Sequence, residues 1–149
     1  MTAGEYCNRD VIVAELNTTI SEAAKLMRHH HVGDLVLIDK QNSKTLPKGI
    51  ITDRDLVIEI LAQDIDPGSV CVKDLISSDL VTVGEAETLL NTLAIMQNES
   101  VRRIVVVNDE GQLEGLLSAD DVIEIIAEAM NSLTKLIKHE FTREYQKRP

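Results

Sequence analysis

Two short segments of this 149-residue chain hold the residues best placed for chemistry. Thr52-x-x-Asp55 and Ser118-x-x-Asp121 each set a hydroxyl three residues before a carboxylate. Each follows a Gly-apolar-apolar run, Gly49-Ile50-Ile51 in one case and Gly115-Leu116-Leu117 in the other. The spacing predicts the start of a helix, where hydroxyl and carboxylate can each satisfy an unpaired backbone N–H. A helix start is also an anion site, because its free N–H groups and dipole favour negative charge. The pattern therefore supports two roles, a cap and a grip on a ligand, and the hydroxyls can serve both. A cationic pair, Arg102-Arg103, stands before an apolar run, and Arg54 adds a cation beside Asp55. Arg28-His29-His30-His31 offers imidazoles, but adjacent helical residues point in different directions, so no metal site is expected there.

The elements that must position these groups occur twice. A shift of 69 positions lays Asp10-Val11-Ile12-Val13 on Asp79-Leu80-Val81-Thr82, and Leu26-Met27 on Ile95-Met96. The same shift sets Leu35-Val36-Leu37-Ile38-Asp39 on Ile104-Val105-Val106-Val107-Asn108, and the pair Gly33 and Asp34 on Arg102 and Arg103. A three-residue insertion within Lys40 to Lys48 reduces the shift to 66, and Gly49 to Leu56 then falls on Gly115 to Val122. Internal repetition of this kind marks a repeated structural unit. Each copy reads as strand, helix, strand, strand, helix. The first helix opens on a capping box, Thr19-Ile20-Ser21-Glu22, with Ile20, Ala23, Ala24 and Met27 as its buried stripe. Leu35 to Ile38 is a branched apolar run suited to a buried strand. A polar loop with Asn42-Ser43 and Pro47 comes next in the first copy, and Asp109-Glu110-Gly111 in the second.

The reading is an α/β (α+β) fold of two β-α-β-β-α repeats, residues 7–64 and 72–130. Turn chemistry at Ile65-Asp66-Pro67-Gly68-Ser69 joins them in a linker over 65–71. Residues 131–149 extend the last helix, with Leu133, Leu136, Ile137 and Phe141 at helical spacing and fraying expected from Arg143 on.

Composition narrows the function. A formal charge of -10 repels nucleic-acid backbones and anionic membranes, so any phosphate site is local. Aromatics at 2% leave no stacking platform for single strands. No apolar run approaches a membrane span or a leader, which points to a cytoplasmic protein. Cys7 and Cys71 have neither zinc spacing nor a disulfide framework around them and are read as free thiols. There is no nucleophile elbow, Walker loop or His-Glu-x-x-His motif, so no enzyme is expected.

Val32-Gly33-Asp34-Leu35-Val36-Leu37-Ile38-Asp39 and Gly49-Ile50-Ile51-Thr52-Asp53-Arg54-Asp55-Leu56 resemble the two signature segments of a cystathionine-β-synthase (CBS) domain. Val101 to Asn108 and Gly115 to Val122 resemble them again, and the likeness covers residues 7 to 130. It implies two repeats about a pseudo-twofold axis with two related clefts, and commonly a homodimer. It also implies a ligand such as AMP, ADP or ATP, with energy sensing as the role, or alternatively S-adenosylmethionine or NAD. Binding would alter an attached or partner protein. No cofactor is required, although Mg2+ could accompany a polyphosphate.

By the same resemblance Asp55 and Asp121 accept the ribose hydroxyls, and Thr52 and Ser118 lie near the phosphate. A vicinal diol offers two donors to one carboxylate, a strong charge-assisted arrangement. Arg102 and Arg103, with Arg54 adding to them, would meet phosphates in the Asp55 cleft, whereas the Asp121 cleft would face Gly33 and Asp34. Exchanging cation for carboxylate beside a phosphate changes binding by about 1–3 kcal/mol, so the two clefts should differ. Val11-Ile12 and Leu80-Val81 would wall the base pockets, Ile12 and Val81 foremost. The competing reading is an interaction adaptor with vestigial clefts, its partner held on the stripe after Met130.

Overall fold

The computed structural model describes residues 1–148. The chain divides into two compact units, Met1–Leu117 and Ser118–Pro149. In the first, α1 (Ala3–Tyr6) precedes β1 (Val13–Glu15), α2 (Ile20–His30), β2 (Asp34–Gln41) and β3 (Lys44–Thr52). A single turn, α3 (Asp53–Asp55), runs into a π-helical stretch over Leu56–Leu61, and a 3-10 turn lies at Val72–Leu75. The second repeat supplies β4 (Thr82–Gly84), α4 (Leu89–Glu99), β5 (Arg103–Val107) and β6 (Leu113–Ser118). The second unit is one helix, α5 (Ala119–Lys147). The fold is therefore the mixed α/β one expected, with two three-stranded sheets ordered β1-β2-β3 and β4-β5-β6.

Each sheet begins with the parallel pairing that a helical crossover requires, Val13 on Val36 and Thr82 on Val105. The crossover helices start alike, with Thr19 Oγ1 accepting from Glu22 N–H and Thr88 Oγ1 from Asn91 N–H. At Thr19 the hydroxyl half of the expected capping box is what forms. Both helices end on a left-handed residue, His31 and Ser100, each with φ 55°. That conformation turns the chain sharply into the next strand. Ile20, Ala23 and Met27 are buried as their spacing requires, but Ala24 is exposed and Leu26 packs against the core in its place.

The polar loop expected to contain Asn42-Ser43 and Pro47 shrinks to a tight turn, with Pro47 in strand. Asn42 and Ser43, at φ 50° and 66°, form a two-residue turn between Gln41 and Lys44. Left-handed residues of this kind match the twist of paired strands. Pro47 pairs with Ile38 at the register shift between Leu37 and Ile38, on the edge strand of its sheet, where proline is tolerated at a bulge.

β2 is buried on both faces. Leu35 and Leu37 join Ile20, Met27, Ile51 and Ile60 in one core, while Val36 and Ile38 meet Val105 and Leu116 in another. The second core joins the two sheets. Each fully buried Leu or Ile contributes about 1.5–3 kcal/mol.

The segments that enter each repeat cross over to the other. Thr2 bridges Thr88 and Asn8 bridges Leu116, so the N-terminal residues dock on the second repeat. Cys71 bridges Thr19, and Val72 N–H donates to Thr18 O, so residues after the linker dock on the first. Close approach demands glycine at the first docking point and crowds it at the second. A Cβ on Gly115 would lie 2.6 Å from Cys7 Sγ, and one on Gly49 would lie 3.1 Å from Ile76 Cγ1.

In the second unit, α5 continues through Lys147 without the fraying expected from Arg143 on; Pro149 lies outside the described residues. Among the described residues no helix is long and apolar enough to cross a membrane.

Candidate functional site

Thr52 and Asp55 form the reciprocal cap that their spacing predicts. Asp55 N–H donates to Thr52 Oγ1 at 3.2 Å, and Thr52 N–H donates to Asp55 Oδ2 at 2.8 Å. Ser118 and Asp121 repeat the arrangement at 3.1 and 3.2 Å. Both acids are half-buried. The cap occupies one oxygen of each carboxylate, and a carboxylate has about four lone-pair sites, so capping does not exhaust its capacity to accept.

Asp55 also lines a cleft of about 430 Å³ within the first unit. That volume falls in the range of roughly 300–1,000 Å³ common to small-molecule sites. Gly49 and Ile50 of β3 form one side, and Leu75 to Val81 sweep along another. Glu99, Val101 and Arg103, where α4 passes into β5, complete the wall. The crossed-over entry segment is what brings these pieces together, because Leu75 and Ile76 dock beside Gly49.

Arg103 reaches the cleft already engaged. Its Nε donates to Asp34 Oδ2 at 2.7 Å, and both side chains remain partly exposed. The two residues stand 69 positions apart, which is the repeat shift itself. They are each other's counterparts, and residues beside a pseudo-twofold axis meet their own equivalents. The bond fixes the guanidinium through Nε, and its terminal NH2 groups keep four further donors. Asp34, expected at the cleft beside Asp121, holds the Arg103 guanidinium through this bond.

Asp55, Val81 and Arg103 are thus brought to one cleft. Arg54 is exposed, and its backbone N–H donates to Asp53 Oδ1. Arg102 is exposed just before β5. Ile12 packs against the first core, with its carbonyl accepting from Val36 N–H. Thr52 Oγ1 accepts the cap bond and keeps its own O–H to donate. Ser118 and Asp121 begin α5 in the second unit.

Sequence reasoning misses Ser77, Ser78, Asp79 and Glu99 in the lining. The repeat shift does align Asp79 with Asp10, but nothing in that match shows that the segment before Val81 folds over β3. Electrostatically the cleft is mixed, with Asp55, Asp79 and Glu99 in its lining together with Arg103. Among the described residues no group of three or more His, Cys, Asp or Glu could hold a metal ion.

Known proteins share this architecture. An uncharacterized protein of Methanopyrus kandleri is 34% identical over 84% of this chain, which spans 62% of that relative's length. The CBS domain-containing protein YhcV of Bacillus subtilis is 31% identical, with 83% of this chain and 86% of that one covered. A CBS domain protein of Pyrobaculum aerophilum complexed with AMP superposes at TM-score 0.70, with 26% identity over 81% of this chain and 89% of that one. The family model of the CBS domain matches residues 3–62 and again 72–128, and the chain belongs to that family as a tandem pair of its domains.

Proposed function

We propose that this CBS pair is a non-catalytic regulatory module that binds an adenosine-containing ligand in the cleft beside Asp55, with AMP the preferred nucleotide. The observation that carries the reading is that Asp55 and Arg103 line the same space of about 430 Å³. A carboxylate for a ribose diol and a guanidinium for a phosphate at one cleft are the two recognition elements a nucleoside monophosphate needs. Val81 and Ile50 supply apolar wall for the base. The AMP complex of the Pyrobaculum aerophilum relative supports the choice of ligand.

The same lining ranks the nucleotides. Every phosphate beyond the first adds negative charge to a space that already holds Asp79 and Glu99. Binding should therefore weaken from AMP to ADP to ATP, with Mg2+ restoring part of the loss for the polyphosphates. Bound ligand would act on a partner protein, or on a homodimer of the chain, only through unequal affinity for two states.

Thermal melting with AMP, ADP, ATP, S-adenosylmethionine and NAD, each with and without Mg2+, tests the proposal. A ligand at 100 times its Kd stabilises the fold by about 2.7 kcal/mol. Asp55→Ala should remove most of the AMP-induced rise, measured against that variant's own unliganded melting point so that loss of the cap is separated out. If Asp55→Ala/Asp121→Ala still responds to AMP like the wild type, the site is wrong. Chromatography after prolonged incubation should recover the nucleotide unchanged, and turnover would overturn the non-catalytic assignment.

A further inference from the structure

The segment of α5 beyond residue 128 lies outside both matches to the family model, yet it is helical through Lys147. Met130, Leu133, Ile137 and Phe141 lie along one face of it and are 60%, 55%, 55% and 67% exposed. Ile126, half exposed, begins the same row. The steps from Ile126 to Ile137 are four, three and four residues. That alternation is the seam of a coiled coil, in which each apolar side chain inserts between residues of a facing helix.

Charge along α5 identifies the facing helix. From its start through Thr134 the helix carries Asp120, Asp121, Glu124 and Glu128 and no lysine or arginine. From Lys135 to Arg148 five cations face only Glu140 and Glu144. The helix dipole accounts for charge in the first and last turns, but not for Glu128 or Lys135 near the middle. Two copies laid parallel would set acid on acid and base on base along the whole seam. Laid antiparallel, the acidic half of each meets the basic half of the other. A register with Met130 of one copy opposite Leu133 of the second also sets Ile126 opposite Ile137 and is closed by a twofold axis.

We infer that α5 is a self-association element: two copies of the chain pair through an antiparallel coiled coil of this helix, independently of any ligand in the cleft. Sedimentation equilibrium on the full chain tests it. Leu133→Glu/Ile137→Glu should halve the assembly mass with helix content by circular dichroism unchanged. Orientation is read from charge reversal. Glu124→Lys/Glu128→Lys and Lys135→Glu/Lys138→Glu/Arg143→Glu should each weaken association roughly tenfold or more, because like charges then face each other. Combining both sets in one chain should restore it. In a parallel pair neither set alone would alter the like-with-like contacts, so undiminished association in both variants overturns the antiparallel arrangement. A wild type that stays monomeric at high micromolar concentration, or a mass unmoved by Leu133→Glu/Ile137→Glu, overturns the element altogether. Because no nucleotide enters the assay, its failure leaves the cleft proposal untouched.

Discussion

Thr52 and Asp55 cap a helix that has ended by Asp64, whereas Ser118 and Asp121 cap one that runs to Lys147. The reciprocal hydrogen bonds at the two starts differ by no more than 0.4 Å. Cap chemistry therefore fixes where each helix begins and has no say in where it stops. Length is decided by the residues downstream of the cap. In the first repeat the backbone widens into a π-type bond, Ala62 N–H to Val57 O, and Ile60 is buried; left-handed Asp64 then closes the helix, its N–H donating to Leu61 O and Ile65 N–H to Ile60 O. The turn at Asp66-Pro67-Gly68-Ser69 then closes, with Asp66 accepting from both Gly68 and Ser69 N–H. In the second repeat neither Gly nor Pro occurs between Gly115 and Pro149, so nothing breaks the helix. One repeat spends its closing helix on its own core; the other extends it along an exposed apolar row.

The crossed-over entry segments offer the strongest way to break this near-symmetry. Gly115 and Gly49 hold equivalent places, but the room above them differs. A methyl on Gly115 would press on Cys7 Sγ and on Asn8 O at 2.7 Å, and a backbone oxygen cannot swing away. A methyl on Gly49 would meet side chains alone, Ile76 at 3.1 Å and Leu37 at 3.7 Å. Gly115→Ala should therefore cost about 1–3 kcal/mol by chemical denaturation, the usual penalty of overpacking. Gly49→Ala should cost less than about half as much. Equal losses would show that the two docking contacts are interchangeable.

Next in size is the asymmetry at the axis. Replacing Arg103 by Met removes the phosphate partner and the bond to Asp34 together, and AMP affinity should fall by about 1–2 kcal/mol in a partly exposed site. Adenosine, which has no phosphate, should bind the variant as it binds the wild type. Asp34→Asn keeps a side chain able to accept from Nε, so its effect on AMP should be a fraction of that of Arg103→Met. Titration calorimetry with both ligands distinguishes a phosphate contact from a general loss of fold.

Much of this architecture is legible in the residues alone. The repeat, the sheets and the caps rest on local patterns, namely apolar periodicity and a hydroxyl three residues before an acid, and such patterns survive in a single sequence. The Arg103–Asp34 bond is in principle legible too, since the repeat shift equals their separation. What hides it is the assumption that a cation by a cleft faces ligand alone. The crossing of entry segments cannot be read, because Ala3–Tyr6 and Val72–Leu75 would pattern alike whether they docked on their own repeat or on the other. The strand through Pro47 reads as loop for a related reason, since proline discourages a strand unless a bulge accommodates it and a bulge leaves no local mark in sequence.

Smaller effects sharpen the comparison of the caps. Thr52→Ala and Ser118→Ala should each cost about 1 kcal/mol, the usual value of an N-cap hydroxyl. Thr52→Ala should in addition weaken AMP binding, because Asp55 loses the bond that helps hold its turn beside the cleft. Equal effects of the two variants on AMP would detach the cap from the site.

The faintest expected signal lies in Cys7, whose counterpart in the other crossing segment is the untitratable Ile76. Burial pushes the Cys7 thiol above its ordinary value, offset in part by Arg9. Below the unfolded value, near about 8.5, the thiol is protonated in both states and contributes no pH dependence. As pH rises past that value the unfolded chain releases the proton while folded Cys7 retains it, so the native state binds more protons and stability falls. The decline ends once pH passes the folded value. Urea unfolding between about pH 7 and pH 10 should therefore show a downward slope that Cys7→Ala lessens. Alkylation of Cys7 at about pH 8 should likewise be slower in the folded chain than in urea. A slope unchanged by Cys7→Ala would mean that the contact with Gly115 leaves the sulfur as open to water as Ile76 would leave a thiol on the opposite side, and the tighter packing inferred for the second repeat would lose its chemical signature.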